Sequence, residues 1–236
     1  MTNKTRMRTI ASLALTAIAC CIPALPLRAE LHSQSKELIV MEPHDLPEQA
    51  QTPGNSFFLH ADSAGNTYLY VEQQQGARLT VFDVTDSARI RVVTSTPLNV
   101  PGAFDFVRPL DGDAELIRFR DEKGVAVLDL HKAKLPSLHM VPALVDPGQT
   151  VSLGETGFLG VDEPYSYVRA VPRDFQVVDT SSPMSPALLT TVKQVKHRVV
   201  KDDTGTTFLL GIDGLTIIRR MSVENEHKTV LDEQRN

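Results

Sequence analysis

Side chains able to do chemistry are few in this chain and lie far apart. Seven histidines, His32, His44, His60, His131, His139, His197 and His227, are scattered with no close pair on one strand face. His60 and His197 are the two that a repeat-built fold could bring together at a central channel; singly, they read as ordinary channel or loop histidines. Asp111, Asp113 and Glu115 alternate, so an extended backbone puts three carboxylates on one side, and clustered hard oxygens are what calcium takes. The same residues suit a solvated hairpin tip, where Asp bonds its own backbone, and this is the reading adopted. Lys193, Lys196, His197, Arg198 and Lys201 form the densest basic run. It could capture an anionic ligand or an acidic partner loop, but a charge run usually faces water, and it reads as a solvated connector.

Motifs with a built-in mechanism are missing. The chain has no Gly-x-Ser-x-Gly elbow, no His-Glu-x-x-His and no phosphate-cradling glycine loop. The stretch Gly154-Glu-Thr-Gly157-Phe-Leu-Gly160 has the wrong spacing for a dinucleotide fingerprint and suits a bent strand or turn. Both cysteines, Cys20 and Cys21, fall in the leader described below, so a processed chain has no thiol for catalysis or metal binding. Trp is absent, which argues against a carbohydrate-stacking cleft. No catalytic, cofactor-binding or metal-binding residue is therefore assigned.

The elements that would position these side chains are written as a repeat. Leu79-Thr-Val-Phe-Asp83 recurs as Val125-Ala-Val-Leu-Asp129, as Phe175-Gln-Val-Val-Asp179, and, with the acid lost, as Leu215-Thr-Ile-Ile-Arg219. The final residues of these copies lie 46, 50 and 40 positions apart, a spacing typical of repeat arrays and propellers. Each copy is a β-branched apolar run, which predicts a buried strand with Val81, Val127, Val177 and Ile217 deep between layers. Asp83, Asp129 and Asp179 occupy equivalent places, so they are read as structural: an Asp closing a strand accepts backbone N–H bonds in the turn that follows. Further strands are predicted on either side of each copy. Those upstream are Phe57–His60 with Tyr68–Val71, Phe104–Val107 with Glu115–Arg118, Val151–Leu153 with Tyr165–Val168, and Arg198–Val200 with Phe208–Gly211; those downstream are Ile90–Val93, Leu138–Val141, Ala187–Thr190 and Lys228–Leu231. Gly-containing acidic turns such as Asp62-Ser-Ala-Gly65 and Asp202-Asp-Thr-Gly205 sit between them, as hairpin tips require.

Four antiparallel strands repeated about every 45 residues make a propeller blade, and stacking blades radially covers the two faces that a lone sheet would expose. The expected fold is all-β: a β-propeller, four blades of four antiparallel strands, in units at about 57–100, 103–146, 150–194 and 197–233. The segments Leu79-Thr-Val-Phe-Asp-Val-Thr-Asp86 and Phe175-Gln-Val-Val-Asp-Thr-Ser-Ser-Pro183 resemble the LVIVD-repeat β-propeller proteins of bacteria. The resemblance covers about residues 57–232 and is weakest in the fourth unit, where Arg219 replaces the Asp. It implies a propeller and export, and it implies no particular activity.

Residues 1–29 read as a secretory signal peptide: Lys4, Arg6 and Arg8 precede an uncharged run of 13 residues from Ile10 to Ile22, Pro23 and Pro26 break it, and Leu27-Arg-Ala29 precedes Glu30, with cleavage expected after Ala29. The run is short of the ~20 residues that span a bilayer. The alternative is a lipoprotein anchored at Cys20, since Ala17-Ile-Ala-Cys20 is similar to a lipobox. Removing Lys4, Arg6, Arg8 and Arg28 takes the formal charge from −5 to −9, the wrong sign for nucleic acid. Residues 30–56 form a lead-in strand and Pro-rich linker; residues 57–236 form the propeller domain. Leu38-Ile-Val40 is expected to pair with the sheet holding Lys228–Leu231 and so to join the two ends without a disulfide. The composite expectation is a periplasmic or extracellular monomer that binds or scaffolds another exported protein or surface component, with no cofactor and no evident catalysis. The alternative is a hydrolase or lyase with its site in the channel.

Overall fold

The computed structural model describes residues 30–110, 113–121, 123–142, 149–152, 158–161, 171–180 and 187–235. Among them the architecture is all-β, with one helix near the C-terminal end. Strands β1 (Leu31–His32) and β2 (Leu38–Met41) come first, followed by two short 3-10 turns at Pro43–Asp45 and Glu48–Gln51. Next come β3 (Gly54–Ala61), β4 (Thr67–Gln73), β5 (Arg78–Asp83) and β6 (Arg91–Pro97), an antiparallel four-stranded meander. A second meander is β7 (Phe104–Leu110), β8 (Ala114–Phe119), β9 (Val125–Asp129) and β10 (Ser137–Met140). Two antiparallel pairs follow, β11 (Gln149–Ser152) with β12 (Phe158–Val161), and β13 (Arg173–Asp179) with β14 (Ala187–Val195). The chain ends with β15 (His197–Lys201), β16 (Thr206–Gly211), β17 (Gly214–Arg220) and helix α1 (Met221–Gln234). The last sheet has five strands in the order β1-β2-β17-β16-β15, so it combines both ends of the described chain.

The apolar runs are explained by burial on both faces. Along β4, Leu69 and Val71 join the core shared with β2, β16 and β17, including Met41, Phe208 and Ile217. Tyr70 points the other way, into the core shared with β7, β8 and β9, including Phe104, Ile117 and Leu128. A strand with cores on both sides cannot alternate apolar with polar, and it reads as a continuous run. The first meander is thus sandwiched between the second meander and the five-stranded sheet. On the far side of the latter, Leu209 packs with Val192 and Val195 of β14. The edge strands β3, β7 and β15 lie side by side without pairing. Ser56 Oγ donates to the Phe104 carbonyl at 2.9 Å, Phe58 packs on Phe106 at 4.3 Å between centroids, and Phe57 meets His197 edge-on at 5.9 Å.

Several sequence expectations are corrected. Lys228–Leu231 is helical, not a strand. The edge of β17 that it was to pair with is taken by β2, through Ile217 opposite Met41 and Arg220 opposite Leu38. Val230 and Leu231 are accordingly exposed rather than buried. The joining of the two ends therefore occurs, but with Leu38–Val40 against the fourth repeated strand itself. Val81, Val177 and Ile217 are buried strand residues. Val127 is only half-buried, on the face of β9 opposite to Ala126 and Leu128. The partner of β11 is Phe158–Val161, which overlaps the glycine-rich stretch read as a bent strand or turn, while Tyr165–Val168 and Asp111 lie outside the described residues.

The repeated acids close their strands as expected in two copies. Asp83 Oδ1 accepts the Thr85 N–H and Asp129 Oδ1 accepts the His131 N–H, both at 3.0 Å. Asp179 instead takes the N–H of Gln34 at 2.9 Å, tying the third copy to the β1–β2 turn. Where the fourth copy has Arg219, the guanidinium makes a two-point ion pair with Glu224 of α1, Nε at 2.9 Å and Nη2 at 2.7 Å, with both side chains buried.

Candidate functional site

The seam between the two meanders is aromatic and aliphatic through its middle and polar at both ends. At the end where β3 and β7 finish, His60 Nε2 lies 3.2 Å from Asp113 Oδ1, a bond from one sheet to the other. The Tyr70 ring presents its edge to His60 at 6.4 Å and stacks on Phe58 at 5.0 Å. Its hydroxyl is fully buried and has no hydrogen-bond partner among the described residues. Burial above all, with Tyr68, Asp113 and Asp62 adding negative charge, pushes the Tyr70 phenol far above its ordinary range. Glu115 follows Asp113 by two residues, on the face of β8 that carries Ile117 into the seam, and is 4% exposed. Burial pushes its carboxyl up to about 8, against the opposing charge of Arg108. At neutral pH this end therefore holds a protonated carboxyl, a neutral phenol and a His–Asp pair. Such a set can donate hydrogen bonds to a bound group or pass protons to it.

The opposite end of the seam is built differently. Glu72 is fully buried; Asn55 Nδ2 donates to its Oε1 at 3.4 Å, while Oε2 has no hydrogen-bond partner among the described residues. Burial raises this carboxyl above the ordinary range, and the Asn55 bond and the Arg120 charge only partly oppose it. Lys196 Nζ donates to Asn55 Oδ1 at 3.5 Å, and Arg120 Nε donates to Asp105 Oδ2 at 3.1 Å. His197, beside Asn55, is held below the usual imidazole range chiefly by burial. These charges neutralise one another in a chain across the starts of β3, β7 and β15, which suits a clamp between sheets more than an open site.

The structure disperses most of the side chains that stood out in the sequence. His60 and His197 do not meet; they take Asp113 and Phe57 as separate partners. Of the three alternating acids, Asp111 lies outside the described residues, Asp113 sits in the turn before β8 and meets His60, and Glu115 is buried in the seam rather than solvated. Among the described residues no group of three His, Cys, Asp or Glu side chains could hold a metal ion. The basic run also splits. Lys193 pairs with Asp174 at 2.9 Å, Lys201 is buried and donates to the Thr85 carbonyl at 3.0 Å, and Arg198 faces solvent. Tyr70 and Glu72 were missed, though a glutamate inside Tyr68-Leu-Tyr-Val-Glu72 is a visible signal, because a strand buried on both faces has no solvent side for a carboxylate. No helix among the described residues is long and apolar enough to cross a membrane.

Comparison with family models and with curated proteins finds no match for this chain.

Proposed function

We propose that the chain is an exported four-bladed β-propeller of the LVIVD-repeat kind, working as a binding or scaffolding module for another exported protein or surface component, without a reaction of its own. The successive stacked sheets, the edge strands β3, β7 and β15 lying together, and the shared first and last sheet support the ring. The observation that carries the binding role is the polar end of the seam. The Tyr70 hydroxyl is buried without a partner beside the His60–Asp113 bond, and a buried polar group left unbonded costs about 1–3 kcal/mol. A bound group supplying that hydrogen bond would recover the cost. The test is affinity capture from native periplasm with the wild-type chain, His60→Ala and Tyr70→Phe. A partner held by wild type and lost from both variants is expected; equal capture by all three removes the site from the role.

A second reading, a hydrolase or lyase, is favoured by one observation: Glu115 keeps its proton at neutral pH close in sequence to the His60–Asp113 pair. A carboxyl that keeps its proton at neutral pH can serve as a general acid. On this reading any hydrolytic turnover found is abolished by Glu115→Gln and falls as pH rises past about 8.

Export has its own measurement. The intact mass of the secreted chain should correspond to a start at Glu30, and a lipid-modified Cys20 terminus would replace soluble export with anchoring.

A further inference from the structure

A groove of about 520 Å³ lies away from the seam, between β14, the β16–β17 hairpin and the turn after β2. Its volume falls within the ~300–1,000 Å³ of small-molecule sites. Its base is fixed: Thr216 and Val192 are buried, and Gly214, at φ +115°, sits so close to the Ala50 carbonyl that an added Cβ would lie 2.3 Å from that oxygen. Glu42 and Asp213 bring two carboxylates to the wall, and among the described residues no Lys or Arg lines it. Glu42 is held in place by the Thr190 hydroxyl, which donates to Oε1 at 2.7 Å. His44, the remaining titratable lining residue, is exposed and turned between Glu42 at 3.6 Å and Asp45 at 3.3 Å. Thr191 offers a hydroxyl, and Val192 and Ile212 give an apolar wall, Ile212 being 45% exposed at the rim.

We infer that this groove binds a small organic cation, a primary amine or guanidinium carried on a short apolar chain. A walled pocket lined by carboxylates, with no Lys or Arg among its described lining residues, focuses negative potential, and its low-dielectric walls strengthen that field. A carboxylate held by a neighbouring hydroxyl is preorganised to accept a charge-assisted N–H bond. The apolar wall receives the carbon chain, and the threonine hydroxyls satisfy the remaining ammonium protons. An anion would meet only repulsion here, and a neutral alcohol would gain only the apolar contact.

Calorimetric titration of the mature chain in ~150 mM salt, where exposed charges are screened within about 8 Å, tests this. The probes are butylamine and agmatine, with butanol and butyrate as their neutral and anionic counterparts. Saturable one-to-one binding of both cations is expected, with none of butanol or butyrate. Asp213→Asn, at an exposed hairpin position, and Glu42→Gln, which keeps an acceptor for Thr190, should each weaken binding at least tenfold. Asp202→Asn, an exposed acid on another turn, and His60→Ala should leave it unchanged. Cation binding that survives both groove variants, binding of butanol as tight as butylamine, or no saturable heat with either cation overturns the site.

Discussion

Glu115 shows how a single residue acquires a chemistry its sequence context hides. In an alternating Asp-x-Asp-x-Glu stretch it looks like a solvated acid, but β8 runs into an apolar seam and carries Glu115 inward with Ile117. The seam favours the neutral form, and the proton stays on until about pH 8, whereas an unfolded glutamate releases it near 4.5. The folded chain therefore binds more protons between those values. The stability this group contributes is whole below 4.5 and is lost as pH rises through about 8. Glu115→Gln cannot titrate, so the variant should gain on wild type as pH rises from 5 to 8.5, by on the order of a few kcal/mol. Urea unfolding at those two pH values measures it; a wild-type-to-variant difference that does not change with pH would mean Glu115 is solvated. The strand-closing acids were legible beforehand because their partner is local: an Asp bonding an N–H two residues on is encoded by its own segment, as at Asp83 and Asp129. Asp179, Tyr70 and Glu115 take their roles from other sheets, and neither composition nor spacing records which sheet comes to lie opposite.

At the scale of elements, the strand pattern was readable wherever burial is two-sided, because β-branched runs then have only one use. The last element was misread for the opposite reason. Lys228-Thr-Val-Leu231 looks like a short strand, yet it follows Ser222-Val-Glu-Asn-Glu-His227, a polar stretch that helix formation can satisfy from within, and the sheet edge it would need is already paired with β2. What fixes the helix is Arg219 standing where the other copies have Asp. Its guanidinium is taken up by Glu224, which also lies 3.5 Å from the Thr206 hydroxyl, and Thr206 bonds Ser87 of the first meander at 2.9 Å. The departure from the repeat thus ties α1 to two sheets. Glu224→Ala leaves Arg219 buried without its countercharge and should cost about 3–5 kcal/mol, while Arg219→Met with Glu224→Leu should recover most of it. Denaturant titration of the three chains decides: a Glu224→Ala loss below about 1 kcal/mol would show the pair is solvated enough to be dispensable.

For the molecule as a whole, the repeat interval announced stacked four-stranded sheets, and the first and second groups of strands follow it closely, while the last contributes three strands and takes β2 and β1 to make a sheet of five. The sequence could not announce which strand completes the last sheet, since a four-residue apolar segment such as Leu38–Met41 fits any open edge. The fold resolves this by bringing β2 to β17, with Ile39 and Met41 entering the same core as Phe57 and Leu69 of the first meander. The lead-in segment is therefore part of two interfaces at once. It covers the edge of β17, whose unpaired N–H and C=O groups would otherwise face water or another chain. It also supplies Met41, Leu46 and Ala50 to the core under the first meander, and Gln73 Nε2 donates to the carbonyls of Gln49 and Thr52, both at 2.9 Å. Deleting residues 30–50 removes the edge partner and the buried side chains of Ile39, Val40, Met41, Leu46 and Ala50 together, and fully burying an aliphatic side chain as large as Val, Ile, Leu or Met is worth roughly 1.5–3 kcal/mol. With no cysteine after Cys21, no disulfide can hold the ends in its place. The deletion should lower the melting temperature by more than 10 °C, since ~1 kcal/mol shifts a domain of this size by about 2–4 °C, and it should promote self-association through the bared β17 edge. Calorimetry and light scattering on the truncated chain read both effects. An unchanged melting temperature with a monomeric mass would mean that β15, β16 and β17 form a self-sufficient sheet and that the N-terminal strand merely rests on it.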